Sequence, residues 1–140
     1  MYKPKFFKFK KMHKQRLKKL YQNPINKSGE SIFGAYILKS LEKGQIKPNQ
    51  IESVRKILSK EIKKFGKIWI RIFSTMIRTS KPAEVRMGKG KGSLDYWACL
   101  IRSGQVLFEI SNINITLAFY LLKKASNKLP VLTKIRKLGS

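Results

Sequence analysis

Residues 67–73, Lys67-Ile68-Trp69-Ile70-Arg71-Ile72-Phe73, constrain the fold more than any other stretch of this chain. Isoleucines occupy every second position, which is the period of a strand with one buried face. Such a strand needs neighbours and a cover. The cover is predicted just upstream, where Ile51, Val54, Leu58, Ile62 and Phe65 fall within an arc of about 80° at 100° per residue. Asn49 reads as the helix cap, with Glu52 completing a capping box. Gly66 reads as its stop. Lys56, Lys60, Lys63 and Lys64 lie on the opposite side, as a solvated face or as a cationic ridge turned toward a partner.

Further strands are predicted over 31–41, with a bulge at Gly34, and over 45–47. The segments 94–102 and 105–110 read as a hairpin turning at Ser103-Gly104. Asn114 opens a second helix to about residue 128, in which Ile115, Leu117, Ala118, Phe119, Leu121, Leu122 and Ala125 form a broad apolar face. A basic edge strand over 131–137 closes the chain. Residues 74–93 read as a long connection, a length that points to function or mobility. The expected fold is α+β, two helices packed on a mostly antiparallel sheet, with a basic N-terminal extension and a long basic loop. The chain divides into that extension, 1–24, and one domain, 25–140.

Charge limits the partner. The 140 residues carry 32 lysines and arginines against 7 acids, a net charge of +25. A domain this small repels itself unless a polyanion neutralises it, and nucleic acid is the usual one. Metal and acid–base chemistry have little to work with. Cys99 is the single cysteine and sits in an apolar run, reading as a small buried side chain. His13 is the single histidine, embedded among lysines. No cofactor is expected, and no apolar run is long enough to span a membrane.

Two basic segments carry the binding expectation. In the first, Lys3, Lys5, Lys8, Lys10, Lys11, Lys14, Arg16, Lys18 and Lys19 are interleaved with Tyr2, Phe6, Phe7 and Phe9. Cations and aromatic faces together suit phosphates and unstacked bases; alternatively the aromatics tuck back onto the domain. The second is Arg86-Met87-Gly88-Lys89-Gly90-Lys91-Gly92. Its glycines lack the P-loop spacing, and it leads into a strand, whereas nucleotide-binding glycine motifs lead into a helix. Nucleotide cradling thus fails, which leaves a nucleic-acid contact finger, its glycines giving clearance between RNA surfaces, or a solvated linker. Arg71, between Trp69 and Phe73, can stack and pair phosphate or stand as a half-exposed rim residue.

The stretch Lys81-Pro82-Ala83-Glu84-Val85-Arg86-Met87-Gly88-Lys89-Gly90-Lys91-Gly92 followed by Tyr96-Trp97 resembles a signature of the universal large-subunit ribosomal protein L-sixteen family. Gly66-Lys67-Ile68-Trp69-Ile70-Arg71-Ile72-Phe73, Lys8-Phe9-Lys10-Lys11-Met12-His13-Lys14, Gln50-Ile51-Glu52 and Lys128-Leu129-Pro130 are similar to that family in the right order. The resemblance implies an α/β-hammerhead fold, no enzymatic activity, and a place on ribosomal RNA beside the A-site transfer RNA and the peptidyl transferase centre. The implied partners are large-subunit rRNA, A-site tRNA and neighbouring ribosomal proteins, with no homo-oligomer. Lys5, Lys8, Lys10, Lys11, His13, Lys14, Arg16, Lys67 and Arg71 become rRNA contacts; Arg86, Met87, Gly88, Lys89, Gly90, Lys91 and Gly92 become contacts near the tRNA path. Lysine outnumbers arginine 25 to 7 and isoleucine is abundant, as in A+T-rich genes. With the match beginning close to Met1, this suggests a protein encoded and used in a mitochondrion, the alternatives being a plastid or an A+T-rich bacterium. An assembly factor or RNA chaperone, and a basic membrane-surface protein, are the competing functional readings.

Overall fold

A computed structural model describes residues 4–9, 11–13, 30–62 and 65–138. The elements in order are β1 (Tyr36–Ser40), β2 (Gly44–Ile46), α1 (Pro48–Ile62), β3 (Lys67–Ile70), β4 (Met76–Ser80), β5 (Ser93–Ile101), β6 (Val106–Ser111), α2 (Ile115–Ser126) and β7 (Thr133–Lys137). The class is α+β as expected, but the strands form two open sheets where one was expected. One runs β3-β6-β1-β7 and the other β2-β5-β4, and every pairing is antiparallel.

The turn at Ser103-Gly104 is present, with Gly104 at φ +81°, but β5 and β6 do not pair across it. Gly104 donates to the Ser40 carbonyl and Ser40 to the Gln105 carbonyl. The turn thus hands the chain from one sheet to the other. Turn residues report that the chain reverses; which strands pair is decided by non-local packing. The long connection is also shorter than expected, because Met76–Ser80 is a strand that pairs with β5.

Helix α1 begins one residue before Asn49, at Pro48, so Asn49 lies inside it and is not its cap. Pro48 takes the first position, where its missing N–H costs nothing. The Lys47 carbonyl accepts from Gln50 and Ile51, and the Gln50 side chain accepts the Lys47 amide at 2.9 Å, the reciprocal half of a capping box. Glu52 pairs instead with Arg55. Ile51, Val54, Leu58 and Ile62 are buried as the periodicity requires, whereas Phe65 lies beyond the helix and is 82% exposed. Lys63 and Lys64 lie outside the described residues. In α2 the buried face is narrower than expected. Ala118, Leu121, Leu122 and Ala125 are fully covered, while Ile115, Leu117 and Phe119 remain about 40% exposed. Asn114 holds the cap position but makes no side-chain capping bond.

Both helices join the sheet residues Leu38, Phe108 and Ile110 in one apolar core with Ile46, Cys99 and Ile101. Cys99 is the inert side chain expected: burial pushes its thiol up to about 11, against a weaker opposing bond from the Phe73 backbone.

The other face of the four-stranded sheet is organised by a charge. Glu109 lies mid-strand in β6, opposite Trp69 of β3 and Ile37 of β1, and its side chain is fully buried. A buried carboxylate is tolerable only with a full set of donors. Residues 31–34 supply most of them, because they do not continue as strand. The amides of Phe33 and Gly34 donate to Oε2 at 2.8 and 2.7 Å, and Arg71 forms an ion pair with Oε1. Phe33 stacks on Trp69 at 5.9 Å and lies 5.5 Å from the Arg71 guanidinium. Gly34 is obligatory: a Cβ there would stand 2.8 Å from Glu109 Cβ and from the Ile110 backbone. The bulge expected at Gly34 falls instead between Leu38 and Lys39.

Burial alone would push the Glu109 carboxyl up. The Phe33 and Gly34 amides and Arg71 outweigh that effect and hold it below the ordinary value of 4.5. A depressed folded pKa adds stability that is complete above the unfolded value and is lost as pH falls through the folded one. Glu109→Gln should therefore lower unfolding free energy at neutral pH by about 3 kcal/mol, read by urea titration. It should also flatten the wild type's loss of stability below pH 4.5. Equal acid sensitivity of the two proteins would contradict the assignment.

Candidate nucleic-acid interface

The finger is the extended end of the β4–β5 hairpin. Ser80 pairs with Ser93, so residues 81–92 project beyond the last rung. Gly92 closes the base, where a Cβ would overlap the Ser80 carbonyl. The Val85 amide donates to the Pro82 carbonyl at 3.2 Å, a tight turn. At the tip Gly88, Lys89 and Gly90 have φ values of +96°, +55° and +77° in succession. A Cβ at Gly88 or Gly90 would meet nothing within 4 Å. Glycine is needed there for its left-handed backbone, whereas clearance is the requirement at Gly92.

Residues 81–91 are all exposed, and Met87 is fully so. Lys81 reaches back to the Gly88 carbonyl. Arg86 and Lys89 have no partner among the described residues. The N-terminal segment lies along the finger's base. Lys11 Nζ donates to the Lys91 carbonyl at 3.1 Å, Lys91 Nζ donates to the Met12 carbonyl, and Phe7 meets Trp97 edge-on at 4.7 Å. Of the aromatics, Phe7 therefore tucks back, while Phe6 and Phe9 stay exposed. Lys5, Lys8, Lys11 and His13 are exposed on the same segment, and Lys8 stands over the Phe9 ring.

Two basic stretches that are about 80 residues apart in sequence thus share one surface. Glu84 and Asp95 are the only acids on or beside the finger. Mobile counterions or a polyanion must supply the rest of the neutralising charge. Lys10, Lys14 and Arg16 lie outside the described residues. Lys67 is exposed at the start of β3, and Arg71 follows that strand, so both belong to the other sheet. Arg71 differs from the rest in kind, because its charge is already committed to Glu109. Among the described residues no three of His, Cys, Asp and Glu come together as a metal site, and no helix is long and apolar enough to cross a membrane.

Two features escaped the sequence reading. The Glu109 centre had a signal, a lone acid within Val106-Leu107-Phe108-Glu109-Ile110. Contact between the N-terminal segment and Lys91 had none, since it runs through main-chain carbonyls.

Known proteins agree with the signatures. The ribosomal protein L16p/L10e family matches residues 4–136. Large ribosomal subunit protein uL16 of Buchnera aphidicola subsp. Cinara cedri (strain Cc) is 46% identical over 134 residues, covering 95% of this chain and 94% of its own. The uL16 of Paracoccus denitrificans (strain Pd 1222) is 44% identical over 135 residues, with 96% of each covered. The protein uL16c of Euglena longa is 47% identical over 136 residues, covering 96% of this chain and 97% of its own. The match spans both basic stretches, both sheets and both helices, and by it the chain belongs to the ribosomal protein L16p/L10e family.

Proposed function

We propose that this protein is a structural constituent of the large ribosomal subunit, binding large-subunit rRNA beside the A-site tRNA and the peptidyl transferase centre. The observation that carries this reading is the exposed finger 81–92 with the cationic N-terminal segment against its base. Arg86 and Lys89 have no partner among the described residues, as befits groups meant for phosphates. The mechanism is phosphate neutralisation and shape, not chemistry. The core presents the finger rigidly through the β4–β5 ladder, and the cations let RNA strands approach one another where they would otherwise repel. Lys5, Lys8, Lys11, His13 and Lys67, with Lys10, Lys14 and Arg16, are the proposed rRNA contacts. Arg86 to Gly92 form the part that reaches toward tRNA. Arg71 serves the interface indirectly, by fixing residues 31–34 over Glu109.

The ribosome in question is proposed to be mitochondrial. The excess of lysine over arginine, 25 to 7, supports an organelle-encoded gene. A nuclear gene with a cleaved leader would overturn that part.

Binding by neutralisation has a measurable slope. The logarithm of affinity for large-subunit rRNA should fall with the logarithm of salt by roughly 0.7–0.9 per phosphate contacted. Replacing Arg86, Lys89 and Lys91 together with alanine should reduce that slope by about 2–3 while circular dichroism stays unchanged. In sucrose gradients of the source ribosomes the wild-type protein should be stoichiometric in mature large subunits. Its absence from them, with presence only in precursors, would make it an assembly factor instead.

A further inference from the structure

Next to the finger, a cleft of about 330 Å³ opens between the first turn of α1 and the start of β5, lined by Lys47, Pro48, Asn49, Leu94, Asp95, Tyr96 and Trp97. That volume is at the lower end of the range for small-ligand sites, about 300–1,000 Å³. We propose that this cleft takes one unpaired guanine base of RNA, read by Asp95. The proposal rests on the RNA-binding function argued above and adds to it a site and a base.

The aromatic wall is held before any ligand arrives. Gln45 Nε2 donates to the Tyr96 hydroxyl at 3.4 Å, and Gln45 Oε1 accepts from Arg78 Nε and Nη2 at 3.0 and 2.7 Å. Lys47 Nζ lies 4.6 Å from the centre of the Tyr96 ring. Trp97 is fixed by Phe7, which ties the cleft to the N-terminal segment. An aromatic side chain beside a fixed cation is how single-stranded RNA is held, the base against the ring and the phosphate on the charge.

Asp95 is the odd member. It is exposed, and among the described residues it has neither a hydrogen bond nor an ion pair, although the chain carries 32 cationic side chains. A carboxylate on a phosphate-binding surface repels phosphate, so its fitting ligand is a group that presents only donors. Ionised carboxylates accept and cannot donate. On the Watson–Crick edge, guanine offers two adjacent donors, N1–H and the N2 amine, which match the two carboxylate oxygens. Adenine and cytosine each set an acceptor beside one donor, and uracil sets acceptors on both sides of its N3–H. Guanine alone meets Asp95 without a repulsive contact. A cationic side chain from a neighbouring protein would also satisfy Asp95, but it would have to approach Lys47 and the positive finger.

The test uses the full chain and a short RNA hairpin with one bulged guanine. The same hairpin with bulged adenine, with bulged uracil or with no bulge completes the set. Fluorescence anisotropy at fixed salt should show the bulged guanine bound about five- to tenfold more tightly than the others. Asp95→Asn should remove that preference and leave the salt dependence intact. Since Asp95 is on the surface, the variant should fold, which circular dichroism checks. Independently, 6-thioguanosine at the bulge should crosslink to the cleft residues on irradiation. Equal binding of all four hairpins, a preference that survives Asp95→Asn, or crosslinks confined to the finger would each overturn the cleft proposal while leaving RNA binding in place. No salt-dependent binding to any hairpin would overturn the RNA reading itself, and this proposal with it.

Discussion

The carboxylate of Glu109 is the interaction on which the outer half of this structure depends. It sits at the centre of β6, between β3 and β1, where water cannot reach it. The centre is assembled from three separate parts of the sequence: β6 provides the acid, Arg71 just after β3 provides the cation, and the approach to β1 provides the Phe33 and Gly34 amides. Removing any one of these leaves buried polar groups unpaired, and that cost exceeds what the intact set adds. The centre therefore specifies a path for the chain more than it adds stability. Residues 31–34 must turn over the sheet, which fixes where the chain enters the domain.

The acids elsewhere are placed in the same way. Glu52 pairs with Arg55 and Glu61 with Lys124, and Glu42 accepts the Leu132 amide. Most of the few negative charges thus hold the scaffold together, and few are left to neutralise the finger or the N-terminal segment. The apolar core offsets the self-repulsion that remains. Such a molecule is stable enough to present a concentrated cationic surface, yet electrostatically incomplete alone. Binding a polyanion relieves the repulsion, so the surface and the partner are explained by one imbalance.

Local sequence carried the elements whose pattern is local. The α1 stripe of Ile51, Val54, Leu58 and Ile62 was legible, because its periodicity reports a buried face directly. The alternation over 67–73 located β3, but the strand ends at Ile70 and its residues Ile68, Trp69 and Ile70 are all half-buried. What failed was non-local. Met76-Ile77-Arg78-Thr79-Ser80 is a strand because β5 is there to pair with it, and nothing within those five residues says so. Ser103-Gly104 announced a turn but could not announce that its two strands go to different sheets. In α2, apolar residues outnumber the positions the sheet can cover, so composition overstated the buried face. Of the proposed binding surface, the exposed loop over residues 81–92 was legible from its glycines and cations. Its contact with residues 11 and 12 was not, because backbone carbonyls are the acceptors.

The central claim is that the finger and the N-terminal segment lie against RNA within the large subunit. Acetylation of lysines, quantified by mass spectrometry, tests it most directly when free protein, intact subunits and nuclease-treated subunits are compared. Lys5, Lys8, Lys11 and Lys89 are all exposed in the free chain and should react readily there. They should be protected in intact subunits and react again once the RNA is digested. Equal labelling of these lysines in the free protein and in intact subunits would contradict the account.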